Sequence, residues 1–140
     1  MKVVLCHGCW DGLHPGHVRH LEAAKRYGDR LVVSVTTDAW VCKGPGRPYI
    51  PQGLRAELVG ALRCVDQVVL TDGDSAADLI GLLKPDVFAK GHDYAPGTDP
   101  RTQAEMAALA LYGGLILFTP AEVVFSSTKI FATSGIRYGA

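Results

Sequence analysis

The stretch CHGCWDGLHPGHVRH, from Cys6 to His20, gathers residue types that could bind a metal ion or a phosphate group. It contains two of the four cysteines and four of the five histidines. Zinc takes four such ligands in a tetrahedron, and its ligand pairs usually lie about a dozen residues apart so that they can face each other. Only four residues separate Cys9 from His14. Cys6 also lies in a predicted buried strand, where a free cysteine packs as a small apolar residue. The pattern therefore argues against a structural zinc site.

The segment HPGH at residues 14–17 has the pattern H-x-G-H at the start of a predicted helix. Two histidines three residues apart in a first helical turn point the same way, and a helix N-terminus offers free N–H groups to a phosphate. Gly16 lets a ligand approach the backbone closely. We therefore predict phosphate binding here. His20 is expected on the helix surface with no role, and the role of His7, at a strand end, stays open.

Alternating strand and helix patterns must position this segment. Five predicted strands cover residues 2–7, 30–38, 66–71, 86–91 and 115–119, and helical patterns separate them. The alternation predicts an α/β fold, a Rossmann-like three-layer sandwich whose five-stranded parallel sheet has helices on both faces. We expect the strand order 3-2-1-4-5 and a single domain over residues 1–140, a length that can bury a core without staples.

The segments rich in chemistry all follow strands. GCWDGLHPGH follows the first strand, KGPGRP the second, KGHDY the fourth and SSTK the fifth. Ligands of parallel sheets bind beyond the carboxyl ends of the strands, where the strand order reverses. These segments are therefore expected to meet at one edge of the sheet and to form a common site.

Composition narrows the class of partner. The formal net charge is zero, which argues against nucleic acid as the main partner but leaves room for a small anionic ligand. No apolar run approaches the roughly 20 residues of a membrane span, and MKVVLCHG does not resemble a signal peptide. We expect a cytoplasmic protein with reduced cysteines and no membrane partner.

Two segments carry a resemblance to a known family. GCWDGLHPGH resembles the G-x-F-D-x-x-H-x-G-H signature of the small cytidylyltransferase-like nucleotidyltransferases, with Trp10 where phenylalanine is usual. SSTKI, at residues 126–130, resembles the second signature of that family, S-T-T-x-I. KGPGRPYIP and KGHDY look closest to the nucleotidyltransferase domain of ADP-heptose synthases, and glycerol-3-phosphate cytidylyltransferases come next.

One departure separates these two types. The cytidylyltransferases usually carry R-T-E-G before the second signature, and this chain has Ala121, Glu122, Val123 and Val124 there. The missing arginine counts against the glycerol-phosphate type. Heptose-type enzymes also tend to lack it, so the departure favours a sugar phosphate such as heptose 1-phosphate as the acceptor.

The resemblance implies transfer of a nucleoside monophosphate from ATP or CTP to that acceptor, with release of pyrophosphate. His14 and His17 would hydrogen-bond the triphosphate and stabilise the transition state. Lys43 would reach the α-phosphate and the acceptor phosphate, and Arg55 the acceptor phosphate. Asp11 would order its turn or help to hold magnesium, and this choice stays open. Mg²⁺ is expected with the triphosphate, and a homodimer is expected from the relatives.

Nucleotide binding is implied for ten positions: Gly8, Cys9, Asp11, Gly16, Lys90, Gly91, Asp93, Ser126, Ser127 and Thr128. The hydroxyl residues would cradle the β- and γ-phosphates, and the KGHDY residues would lie beside the ribose and base. The metal ligands are left unknown. Two alternatives stay open: another alcohol phosphate or a phosphonate as the acceptor, and a non-catalytic nucleotide-binding module.

Overall fold

Five short apolar runs form the strands of one parallel sheet. A computed structural model describes residues 1–120. Its strands are β1 (Val3–Gly8), β2 (Arg30–Thr36), β3 (Gln67–Thr71), β4 (Val87–Lys90) and β5 (Leu115–Phe118). They pair in the order β3-β2-β1-β4-β5, and every pair is parallel. The predicted α/β fold and the strand order are confirmed.

Within residues 1–120, four helices cover the two faces of the sheet: α1 (Pro15–Lys25), α2 (Gln52–Gly60), α3 (Ala77–Leu83) and α4 (Pro100–Ala110). Side chains alternate along β1, so Val4 and Cys6 pack with α1 and α2 in one buried cluster. Leu5 belongs to a second cluster with residues of α3 and α4. The sheet therefore lies between two apolar layers, as predicted.

Carboxylates close the amino-terminal edge of the sheet. Asp86 accepts a hydrogen bond from the Val3 backbone N–H at 2.8 Å, and Asp66 accepts one from that of Leu31 at 2.7 Å. These bonds satisfy backbone N–H groups at the start of β1 and β2. They lie at the edge of the sheet opposite to the carboxyl ends of the strands. Within residues 1–120, no helix combines the length and hydropathy needed to cross a membrane.

Candidate functional site

A cavity of about 620 Å³ opens where the strands end at the carboxyl edge. Its wall includes the ends of β1, β2 and β4, the first turns of α1, and the loops after β2 and β3. The sequence-predicted residues that line it are His14, His17, Lys43, Gly8, Cys9, Gly16, Lys90, Gly91 and Asp93. Three of the four segments rich in chemistry, those that follow β1, β2 and β4, thus meet around one cavity, and the fourth lies outside the described residues.

Two histidines cap the first turn of α1. The Gly16 backbone N–H donates to His14 Nδ1 at 3.1 Å, and the His14 backbone N–H donates to His17 Nδ1 at 3.3 Å. This reciprocal arrangement is a capping box built from imidazoles. A ring nitrogen that accepts a hydrogen bond carries no proton, so in each neutral ring the proton lies on Nε2. The ring centroids are 3.9 Å apart and both residues line the cavity, so two neighbouring rings each offer an Nε2–H donor there.

Both rings are neutral at pH 7. Burial lowers the pKa of His14. Burial, followed by the charges of His14, Lys43 and His20, lowers the pKa of His17 to about 4. At neutral pH the pair can therefore donate hydrogen bonds to phosphate oxygens without releasing or taking up a proton.

Trp10 forms the wall behind this pair. Its indole N–H donates to the Ser34 carbonyl at 3.0 Å, and its ring meets His17 edge-on, with centroids 5.5 Å apart. The backbone of Trp10 has a φ of 55°, an uncommon conformation for a bulky residue. A Cβ at Gly8 would lie 2.9 Å from the indole Cε2. Gly8 is therefore needed to let the tryptophan fold back over the end of β1.

Sequence reasoning gave His20 no role and left the role of His7 open, and both line the cavity wall. His20 was expected to lie on the helix surface without a role, and this prediction is wrong. Its Nδ1 is 2.7 Å from Thr119 Oγ1, and its ring stacks on Trp10. His7 Nδ1 is 2.7 Å from Ser34 Oγ. Both partners are far away in the sequence, so spacing alone offered no signal for either contact.

Lys43 lies in the loop between β2 and α2. Trp40 and Cys42 line the cavity beside it. Two glycines with positive φ follow at once, Gly44 at 110° and Gly46 at 75°. No ion pair to another residue within 1–120 holds the Lys43 ammonium group. It is therefore available to an anion in the cavity.

Lys90, at the end of β4, is held in place by protein groups. Its ammonium nitrogen donates to Glu105 Oε1 at 2.5 Å and to Thr102 Oγ1 at 3.0 Å, and it lies 4.3 Å from the centre of the Tyr94 ring. The buried Glu105 also accepts a hydrogen bond from the Ala76 backbone N–H at 2.9 Å. Glu105 lines the cavity too, and sequence reasoning missed it because nothing in the α4 pattern marks it.

Asp11 and Arg55 do not line the cavity. The Asp11 carboxylate is bonded to Arg47 and to the backbone N–H groups of Tyr49 and Ile50. Burial alone would raise the pKa of Asp11, but these bonds outweigh it and lower the pKa. The Arg55 side chain is 0% exposed, and its guanidinium donates only to protein oxygens. Both groups are therefore engaged by protein atoms of residues 1–120.

Metal ligands are sparse in the described part of the chain. Residues 1–120 contain no group of three or more histidine, cysteine, aspartate or glutamate side chains that could hold a metal ion. Cys6 is buried in the core, and the His14 and His17 Nδ1 atoms are engaged in the capping box. The predicted nucleotide-binding residues Ser126, Ser127 and Thr128 lie outside the described residues.

Comparison with known proteins places the chain in a family. The profile described as cytidylyltransferase-like matches residues 5–132. The chain is 44% identical over 131 residues to the bifunctional protein HldE of Gluconobacter oxydans, a match that covers 92% of this chain and 26% of the relative. It is 40% identical over 140 residues to HldE of Trichlorobacter lovleyi, covering 98% and 28%. The chain thus spans about a quarter of the length of these curated relatives.

Solved structures share the architecture. A lipopolysaccharide core biosynthesis protein from Thermoplasma volcanium superposes with a TM-score of 0.69 at 26% identity, over 87% of this chain and 99% of the other. A pantoate-beta-alanine ligase from Francisella tularensis superposes with a TM-score of 0.60 at 15% identity, over 88% and 60%, which shows a shared fold only. The profile match over nearly the whole chain shows that it belongs to the cytidylyltransferase-like family of nucleotidyltransferases.

Proposed function

We propose that this chain transfers the nucleoside monophosphate of ATP or CTP to a sugar phosphate such as heptose 1-phosphate. A phosphate oxygen of the acceptor attacks the α-phosphorus. The bond from the α-phosphorus to the bridging oxygen breaks, and pyrophosphate leaves with the electron pair. The observation that carries the proposal is the pair of neutral imidazoles at the mouth of α1, which aims two fixed Nε2–H donors from a helix N-terminus at one cavity.

This reaction brings together two polyanions that repel each other. The protein has to align them and stabilise the charge that builds up on the oxygens of the transition state. His14 and His17 would donate to triphosphate oxygens, and Lys43, which has no ion pair within residues 1–120, would bridge the α-phosphate and the acceptor phosphate. Lys90, fixed by Glu105, would contribute a stationary positive charge beside the nucleotide.

The sugar-phosphate acceptor rests on two supports. The curated relatives are named bifunctional protein HldE, and two loops of this chain resemble the nucleotidyltransferase domain of ADP-heptose synthases. The cavity volume of about 620 Å³ lies within the range of roughly 300–1,000 Å³ that is usual for small-molecule sites. Assembly of the chain as a homodimer stays a prediction.

Magnesium would enter with the triphosphate as part of the substrate. Mg²⁺ keeps several waters and is usually held by phosphate oxygens and one or two carboxylates. Asp93 lines the cavity and is exposed, whereas the oxygens of Asp11 are occupied by protein donors. When bound, the ion would neutralise phosphate charge, and the chain's own donors would orient the triphosphate.

A pyrophosphate-release screen tests the proposal. Each common nucleoside triphosphate is combined with heptose 1-phosphate, other sugar phosphates and polyol phosphates, with acceptor-free reactions as controls. We expect release that requires both ATP or CTP and a sugar phosphate. If glycerol phosphate is the only acceptor that supports pyrophosphate release, the chain is assigned to the glycerol-phosphate type instead. Triphosphate binding without release on any acceptor would contradict the proposal and favour a binding module.

A further inference from the structure

We infer that Asp11, Arg47 and Arg55 are positioning residues that hold the Lys43 loop, residues 41–51, against the cavity, and that they act through Lys43. The inference rests on the proposed function for the role of Lys43. It gives Asp11 and Arg55 a task other than binding magnesium or the acceptor phosphate. Two buried side chains of opposite charge carry it, and both bind Ile50.

Asp11 holds the carboxyl-terminal end of the loop. Its side chain is 0% exposed. One carboxylate oxygen accepts from Arg47 Nε at 2.7 Å and from the Tyr49 backbone N–H at 2.8 Å, and the other accepts from the Ile50 backbone N–H at 2.9 Å. The Arg47 guanidinium also lies over the Tyr49 ring, 4.2 Å from its centre. Three donors from the loop thus converge on one carboxylate.

Arg55 binds one end of the loop directly and the other end through Asp38. Its Nε donates to the Ile50 carbonyl at 2.7 Å, and its Nη2 donates to Asp38 Oδ1 at 2.6 Å. Its Nη1 donates to the carbonyls of Cys9 and Thr36, both at 2.7 Å. One guanidinium therefore ties the loop to the ends of β1 and β2, which carry the cavity.

Asp11 and Arg55 bind the two backbone groups of the same residue, Ile50. Its N–H is bound by Asp11 and its carbonyl by Arg55. At the other end of the loop, the Val41 backbone N–H donates to the Asp38 carbonyl at 3.3 Å. We call this arrangement of Asp11, Arg47, Arg55, Asp38 and Ile50 the Ile50 clamp. Between its anchors lies the glycine-rich segment with Lys43, so the clamp sets where the ammonium group can reach.

Because its central side chains are buried and charged, the clamp is sensitive to the loss of any one of its members. The Asp11 and Arg55 side chains are each 0% exposed, whereas their charged partners Arg47 and Asp38 are 21% and 44% exposed. Replacing either buried group leaves its backbone hydrogen-bond partners unsatisfied, and the surrounding structure must rearrange. Since a small misplacement of a reacting group can cost a large factor in rate, loosening the clamp should appear as lost turnover even though no clamp side chain touches the cavity.

The first test measures the loop directly. Trypsin cleavage at Lys43–Gly44 is followed by mass spectrometry in the wild type, in Asp11→Asn and in Asp86→Asn. Asp86 is the matched control, since it also binds a backbone N–H but at the opposite edge of the sheet. We expect faster cleavage in Asp11→Asn only. Arg47→Met, which removes one donor from Asp11, gives the same comparison if Asp11→Asn does not fold.

The second test asks whether the clamp acts through Lys43. In a double-mutant cycle, Asp11→Asn should lower kcat/KM by about 10- to 100-fold when Lys43 is present, and by less than about twofold in Lys43→Ala. If Asp11→Asn lowers kcat/KM equally with and without Lys43, and cleavage at Lys43–Gly44 is unchanged, the inference is overturned. Asp11 would then be assigned a direct contact with the substrates. If no acceptor supports pyrophosphate release, the proposed function fails, and the trypsin comparison still decides the clamp.

Discussion

Four of the five histidines that line the cavity fall into two pairs that are held in different ways. His14 and His17, the helix-mouth pair, bind backbone N–H groups through Nδ1. His7 and His20, the wall pair, bind the hydroxyls of Ser34 and Thr119 through Nδ1. A backbone N–H can only donate, whereas a hydroxyl can donate or accept. The first pair is therefore fixed as Nε2–H donors, and the second pair is not.

This difference separates a chemical task from a structural one. A transition state is stabilised by donors whose direction is set before the charge develops, and the helix-mouth pair meets that condition. Of the wall pair, His20 supports it from behind, since His20 stacks on Trp10 and Trp10 meets His17 edge-on. Variants that act on one pair and spare the other can break this distinction.

The largest effect is expected from His14→Asn. Asparagine is a good helix N-cap, so the change keeps the capping function and removes the Nε2–H donor. Pyrophosphate release should fall about 100-fold, while the free energy of unfolding should change by less than about 0.5 kcal/mol. His14→Ala is the control that loses both functions and should also cost about 1 kcal/mol of stability. Turnover near the wild-type rate in His14→Asn would remove the donor role from His14.

A smaller effect, on stability, is expected from His7→Asn. Burial first, and then the charges of Lys90 and Arg101, lower the pKa of His7 from 6.5 to about 4. Between these values the unfolded chain takes up a proton that the folded chain does not, so stability falls as the pH drops from 6.5 to 4. Asparagine can keep the bond to Ser34 without titrating.

The free energy of unfolding, measured in urea, should therefore fall between pH 6.5 and 4 by about 1–3 kcal/mol less in His7→Asn than in the wild type. The stability of His7→Asn should still depend on pH in this range, because the pKa values of His17 and His20 are also lowered to about 4. His92→Asn changes an exposed histidine and serves as the control. A slope in His7→Asn as steep as that of the wild type would contradict the buried, neutral state of His7.

The smallest effect is expected from Thr119→Val. The change keeps the shape of a side chain that is 4% exposed and removes its bonds to His20 Nδ1 and the Lys90 carbonyl. Loss of such a bond costs about 1 kcal/mol in urea unfolding. Turnover should fall less than in His14→Asn, and Trp10 fluorescence should change as His20 moves. A loss of turnover equal to that of His14→Asn would erase the difference between the two pairs.

Sequence reasoning predicted what depends on short separations. The strands follow from apolar runs, and the strand order and helix layers are confirmed. The helix-mouth pair was found because its hydrogen-bond partners lie two and three residues away, where a pattern such as H-x-G-H shows them. Local spacing and the rule for parallel sheets are sufficient to bring these residues to the carboxyl edge.

Contacts over long separations could not be predicted in the same way. His20 meets Thr119 across 99 residues, and Arg55 meets Cys9 across 46. The family resemblance implied that Arg55 contacts the acceptor phosphate. The folded chain instead surrounds it with four protein oxygens, and the sequence contains no local sign of that burial. Glu105 was missed for the same reason, since its partners come from β4 and from the start of α3.

The most direct test of the central claim is the rate of pyrophosphate release by His17→Ala, measured beside the wild type with saturating ATP or CTP and a sugar phosphate. Both proteins should show the same far-UV circular dichroism, so that any loss can be assigned to the missing donor. The account predicts a loss of about 100-fold or more. Full turnover by His17→Ala would contradict it, because the helix mouth would then contribute nothing to the reaction.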